Sequence, residues 1–181
     1  LSCKNKFRIY TNNFTLSVAV QAGGHCGWMI RELEKVFKTI YTFEPDPVEF
    51  LCLTLNCNSS NIHKLQACVG NEHKLVTLFR HEGQSGANYV SGQGQIPMFL
   101  IDDLALQECS FIQLDLESFE YFGLLGAEQT ILKHKPLICI ERYWNTRFGV
   151  SAQTIDQFFD KINYSLVARL GESDHIYKAR A

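Results

Sequence analysis

The sequence predicts an α/β fold, a mostly parallel sheet covered by helices on both faces. Strand-like and helix-like periods alternate almost from end to end. Segments such as Leu137–Glu141 (LICIE) are apolar enough to be buried on both faces. The chain closes with SLVARL and HIYKA around Gly171-Glu172-Ser173-Asp174, a β-hairpin that makes at least one edge strand antiparallel.

The elements follow in order. Thr15–Gln21 (TLSVAVQ) reads as the first strand, and a glycine cluster follows it. Gly27–Phe37 sets Met29, Leu33, Val36 and Phe37 at helical spacing, with Arg31, Glu32, Glu34 and Lys35 on the other side. Thr39–Phe43 is a second strand. Pro45 and Pro47 bracket the start of a helix carrying Phe50, Leu51, Leu53 and Leu55. Ile62–Val69 is a third strand. LVTLF and IPMFLI are then two extended segments around a Gly/Ser-rich stretch, HEGQSGANYVSGQGQ, which predicts a small inserted hairpin or a mobile loop. FIQLDLE is a strand and Phe119–Lys133 a helix. Ile155, Phe158, Phe159 and Ile162 make one amphipathic face of the last helix.

The 181 residues suit a single domain over 1–181. Apolar residues make up 46% and charged residues 20%, which excludes a disordered or fibrous chain. A net charge of -2 argues against nucleic acid or a membrane surface held by bulk electrostatics. No apolar run reaches the ~18 residues of a membrane span, and no signal-peptide core opens the chain. The seven cysteines are odd in number and scattered, without a CxxC, and nothing else supports secretion at the sequons of Asn13 and Asn58. The expectation is a reduced, soluble, cytoplasmic protein.

Two stretches carry candidate chemistry. In VAVQAGGHCGW, Gly23, Gly24 and Gly27 lie where the chain turns sharply from strand to helix and a ligand can approach the backbone. Glu44 ends the next strand 21 residues after Gly23, about where an acid meets ribose hydroxyls in doubly wound nucleotide-binding folds. The competing reading is a purely conformational turn. GGHCG is not a full GxGxxG, so the ligand reading favours a mononucleoside such as S-adenosylmethionine over a dinucleotide. In FIQLDLESFE, alternation places Asp115 and Glu117 on one face at the carboxyl end of a strand. Acids there could orient an ammonium or sulfonium, act as a general base or help hold a metal. For Ser118 and Glu120 the simpler reading is the start of a helix. His25 and His81 are candidate bases, with packing or surface roles as the alternative. Trp28 reads as packing its helix, and Tyr89, Tyr143 and Trp144 as candidates for the pocket rim. No residue is assigned as a metal ligand.

Taken together, these segments resemble the FkbM family of S-adenosylmethionine-dependent methyltransferases, from about Val18 to Ala179. The family's strand followed by Asp-Val-Gly-Ala-Asn-x-Gly corresponds to Gln21-Ala22-Gly23-Gly24-His25-Cys26-Gly27. Its Phe-acid-Pro motif is intact as Phe43-Glu44-Pro45, and Asn56 closes an LxxN. Its I/L-Asp-Asp-L stands at Ile101-Asp102-Asp103-Leu104. Its K-x-Asp-x-Glu-Gly-x-Glu signature corresponds to Gln113 through Glu120. Gly126-Ala127 and Lys135-Pro136 to Glu141 match the segments that follow.

The resemblance implies a Rossmann-like class I methyltransferase sandwich, with a seven-strand sheet whose last strand is antiparallel. It implies S-adenosylmethionine as cofactor, contacted by Gln21, Gly23, Gly24, His25 and Gly27, with Glu44 on the ribose and Ala67 and Cys68 bordering the adenine. Asp115 and Glu117 would stand at the reacting centre. The implied acceptor is a hydroxyl of a sugar, glycan or small metabolite, chosen by Arg80–Gln95 and the rim near Tyr143–Arg147. Small size predicts a compact acceptor site or one completed by a partner subunit, as in a homodimer. The family's first acid is Gln21 here, its lysine is Gln113 and its glycine is Ser118. These departures carry the alternative, a catalytically degenerate nucleoside-binding or interaction module on the same fold.

Overall fold

The computed structural model describes residues 16–142 and 147–181. The Asn13 sequon, Tyr143 and Trp144 lie outside the described residues. A seven-stranded sheet forms the centre, in the order β3-β2-β1-β7-β8-β10-β9. Its strands are β1 (Leu16–Ala22), β2 (Phe37–Phe43), β3 (Ile62–Leu65), β7 (Phe111–Leu114), β8 (Leu137–Glu141), β9 (Tyr164–Leu170) and β10 (Asp174–Ala179). The first five run parallel, whereas β10 is antiparallel to both β8 and β9. The closing hairpin therefore inserts its second strand into the sheet and leaves β9 at the edge.

Alternation along the central strands feeds two cores. Val18, Val20 and Ala22 pack with Leu124, Ile131, Phe158 and Phe159, beneath α3 (Glu120–Leu125), α4 (Glu128–His134) and α5 (Ala152–Lys161). Ala19 faces the other way, with Ile30, Leu33, Ile40 and Leu53, beneath α1 (Trp28–Leu33) and α2 (Pro47–Asn56). Both faces of β1 are covered, which is why all seven of its residues are buried.

A second, three-stranded sheet carries the inserted hairpin, β5 (Lys74–Phe79) and β6 (Tyr89–Phe99), with β4 (Cys68–Val69) alongside β6. No helix among the described residues is long and apolar enough to cross a membrane.

Three expectations change in detail. The helix predicted over Gly27–Phe37 ends at Leu33, and Phe37 opens β2, buried and stacked on Phe111 at 5.7 Å. Burial against a neighbouring strand outweighs a helical spacing that was also present. The predicted strand Ile62–Val69 is two strands in two sheets, divided at Gln66 and Ala67. The Gly/Ser-rich stretch takes the hairpin form of the two expected: residues 81–88 make the connection, and from Tyr89 on it is part of β6. The helix predicted over Phe119–Lys133 breaks at Gly126-Ala127. There the Asp102 N–H donates to the Gly126 carbonyl at 2.9 Å, and the Asp102 carboxylate accepts from Thr130 N at 2.8 Å and Gln129 N at 3.1 Å. The Ile101-Asp102-Asp103-Leu104 motif thus starts α4 from a distant part of the chain.

Candidate active site

The carboxyl ends of β1, β2, β7 and β8 open onto one cavity of about 310 Å³. Such an edge is where open α/β sheets take their ligands. Gln21, Gly23, Gly24, His25, Glu44, Ala67, Cys68, Asp115 and Glu117 all line it. The fold therefore brings together sequence candidates that are up to 96 positions apart, from Gln21 to Glu117.

The glycine loop owes its path to backbone contacts. The N–H groups of Gly23 and Gly24 both donate to the Phe43 carbonyl, at 3.0 and 2.9 Å. Gly23 has φ +90°, and a Cβ there would stand 2.0 Å from the Asp115 carbonyl oxygen. Only glycine fits. Gly27, also at φ +90°, is not part of the cavity wall. It caps α1, and a Cβ on it would meet Cys57 Sγ at 2.6 Å and Leu53. Its place in the motif is conformational, because α2 packs directly behind it.

Gln21 has both ends of its amide engaged. Its Oε1 accepts from Thr42 Oγ1 and its Nε2 donates to the Gly23 carbonyl, each at 2.7 Å. Glu44 holds the loop from the neighbouring strand, accepting from His25 N at 2.6 Å and Asp46 N at 2.8 Å. Burial pushes its carboxyl up to about 7 despite these two donors. Burial, and then the charge of Glu44, pushes the Cys68 thiol up to about 12, so Cys68 is an apolar wall and not a nucleophile.

At the other end of the cavity β7 stops at Leu114, one residue before the acids. Asp115 still continues the pairing, its N–H donating to the Ala22 carbonyl at 3.0 Å. Glu117 is not on the strand. It reaches the same side because Glu117 and Ser118 turn left-handed, at φ +53° and +81°. Glu120 secures that turn by accepting from Leu116 N at 2.7 Å and Ser118 N at 3.3 Å. Ser118 does not cap α3, and its Oγ is buried without a partner among the described residues.

Glu141, at the end of β8, is the residue that reading the sequence for the site missed. One oxygen from each of Asp115, Glu117 and Glu141 lies within 4.8 Å of the other two. The available signal was an acid ending a buried strand, LICIE, that sits beside QLD in a parallel sheet. Burial, and then the charge and contact of Glu141, hold the Asp115 carboxyl far above its ordinary range. Burial and Glu141 push Glu117 up to about 7, against the pull of Arg147.

The inserted hairpin roofs the cavity with Leu78, Ser85, Gly86, Asn88 and Val90. It is tied down by Arg80 Nε to Asp46 at 3.0 Å and by His25 Nε2 to Ser85 Oγ at 3.2 Å. His81 lies against Phe79 outside the cavity, whereas Trp28 lines it and is 60% exposed instead of packing its helix. Tyr89 belongs to an adjoining groove with Arg147 and Phe148.

A seven-stranded sheet in this order, with a glycine loop after its first strand and an acid after its second, defines the class I methyltransferase fold. A model of the methyltransferase FkbM domain matches residues 29–166, more than half of the chain. The chain belongs to the FkbM methyltransferase family. Among solved structures it is similar to the methyltransferase FkbM from Methylobacillus flagellatus, at 20% identity and a TM-score of 0.66, over 95% of this chain and 46% of that one. The chain thus spans less than half the length of that relative. It is also similar to a Streptococcus pneumoniae protein proposed to be a tRNA (m1A22) methyltransferase, at 8% identity and a TM-score of 0.55, over 99% and 70% of the two chains. A fibrillarin/Nop5p complex matches at 12% identity and a TM-score of 0.53, over 97% and 79%. At these identities the likeness is one of fold. No curated protein matches the sequence significantly.

Proposed function

We propose that this chain binds S-adenosylmethionine in the cavity and transfers its methyl group to a hydroxyl of a sugar, glycan or small metabolite. The observation that supports this best is the convergence of the Gly23-Gly24 turn, Glu44 and the Asp115–Glu117–Glu141 carboxylates on one cavity. The ribose hydroxyls would donate to Glu44, and Ala67 and Cys68 would border the adenine. Transfer needs in-line attack by the acceptor oxygen on the sulfonium methyl, so positioning supplies most of the catalysis. A base takes the hydroxyl proton. Glu117, pushed up to about 7, suits that task better than Asp115, which burial and Glu141 push well above the ordinary carboxylate range.

A single central sheet among the described residues supports reading 1–181 as one domain. Free cysteines, among them buried Cys57, Cys68 and Cys109, fit a cytoplasmic setting. The net charge of -2 supports a small acceptor over nucleic acid. The second reading, a nucleoside-binding module without activity, is favoured by Gln21. It lacks the negative charge that the family's acid offers the methionine ammonium, and its amide is already engaged.

Calorimetric titration with S-adenosylmethionine and S-adenosylhomocysteine tests both. Binding of both, with methyl transfer to an acceptor, supports the enzyme. Binding without transfer across an acceptor panel supports the module. No binding at millimolar ligand sinks both. Glu44→Gln should weaken binding about tenfold or more, by loss of hydrogen bonds to a charged group. Unchanged affinity would overturn the ribose placement.

A further inference from the structure

Asp115 and Glu141 meet because their strands are neighbours in register. The β7–β8 ladder pairs Leu114 with Ile140, so the next position sets Asp115 beside Glu141. Gln113, two residues before Asp115, faces the same side and lines the same cavity. The left-handed turn then folds Glu117 back as a third carboxylate, within 4.8 Å of the other two. That is about the span across a hard cation with oxygen ligands at roughly 2.3–2.6 Å.

A group of acids alone would not make a site. Two buried oxygens point further. Glu141 Oε2 and Gln113 Oε1 are closed off from solvent with no hydrogen-bond partner among the described residues. Gln113 is only 5% exposed. Leaving such acceptors unpaired is costly. A proton shared between Asp115 and Glu141 would satisfy the first oxygen and offer nothing to the second. A cation at the carboxylates would satisfy the first, and a water bound to it would offer a donor to Gln113, which lines the same cavity. All the available donors are carboxylate or amide oxygens, which suit magnesium, manganese or calcium and not zinc.

We propose that Asp115, Glu117 and Glu141 form a binding site for one hard divalent cation, with the Gln113 amide oxygen accepting from a metal-bound water or ligating directly. Its catalytic use rests on the transferase reading of the same cavity. The cation would draw in the acceptor hydroxyl and lower its pKa. The hydroxyl proton passes to the Glu117 carboxylate and from there to solvent, the oxygen–methyl bond forms, and the sulfonium carbon–sulfur bond breaks to leave a neutral thioether.

The test is calorimetry of the EDTA-stripped chain with manganese, magnesium and calcium chlorides, without nucleoside, backed by the electron paramagnetic signal of bound manganese. One saturable site is expected. Glu141→Gln and Asp115→Asn should each weaken it about tenfold or more, while Glu72→Gln, an acid outside the cavity, leaves it unchanged. Circular dichroism checks that each variant is folded. No saturable manganese binding up to about 10 mM, weaker than even low-affinity calcium modules, would overturn the proposal. So would binding that both cavity variants leave intact. A parallel titration with S-adenosylhomocysteine in EDTA separates the two readings: nucleoside binding without metal binding removes the cation site and leaves the cofactor assignment standing.

Discussion

The chain leaves the sheet twice over the same cavity, after β1 and after β7, and the two exits are built differently. The first turns on glycine, with Gly23 and Gly27 each at φ +90°. The second turns on Glu117 and Ser118, side chains in a left-handed backbone that costs roughly 1–2 kcal/mol per residue. Each is held by one buried glutamate accepting from two backbone N–H groups, Glu44 at the first exit and Glu120 at the second. The difference follows from what each exit presents. The first exit offers bare backbone at Gly23 and Gly24 and keeps one left-handed side chain, His25 at φ +45°, which reaches the hairpin roof. The acidic exit must aim carboxylates inward, so it keeps side chains and tolerates strain.

The two exits also pack back to back, which gives the largest expected effect. Gly23→Ala adds a carbon where the Asp115 carbonyl already stands, in a backbone conformation that alanine resists. Strain and overpacking together should cost about 3 kcal/mol or more. A lower urea midpoint at unchanged slope would show it. An unaltered midpoint would mean that the exits are not in contact.

A middle-sized effect concerns the two glutamates. Burial raises both Glu44 and Glu120 to about 7 from an ordinary 4.5. The folded chain therefore holds protons that the unfolded chain releases between those values. Their contribution to stability is full below about 4.5 and is lost as pH rises through 7. The ligand-free protein should lose stability between about pH 5 and pH 8, and Glu120→Gln should flatten that decline by about 2 kcal/mol. Urea unfolding at the two pH values decides it. Parallel declines in wild type and variant would show that Glu120 carries no extra proton and that the acidic exit is braced differently from the glycine one.

The smallest effect sharpens the contrast itself. Ser118→Gly converts the second exit toward the first, relieving φ +81° and removing a buried hydroxyl without a partner. The gain, reduced by the extra freedom of glycine in the unfolded chain, should be about 1 kcal/mol. It would be read as a higher thermal midpoint. A lower midpoint would mean that the serine side chain stabilises the turn.

Much of this was legible beforehand where the signal is local. The buried runs of β1 and β8, the Gly23-Gly24 turn and Glu44 before Pro45 all declare themselves within a few residues, because backbone conformation and two-sided burial restrict which residues can stand there. The seven-strand sheet with its antiparallel last strand followed once those pieces were compared with a family, whereas the strand order came from the structure. What stayed hidden depends on neighbours distant in the chain. Gly27 looks like a ligand residue until α2 is seen behind it, and the break before α4 depends on Asp102, some 27 residues away from the backbone it caps.

By itself, then, the sequence determined the alternating sheet, the glycine exit and the acid that faces it. Only the tertiary structure decided that Glu117 reaches the cavity through a left-handed turn, that Glu141 joins Asp115, and that the inserted hairpin forms the roof. The reason is physical. Periodicity and turn chemistry act along the chain, whereas a carboxylate's partners and its proton affinity are set by register between strands and by burial, which exist only once the sheet has formed.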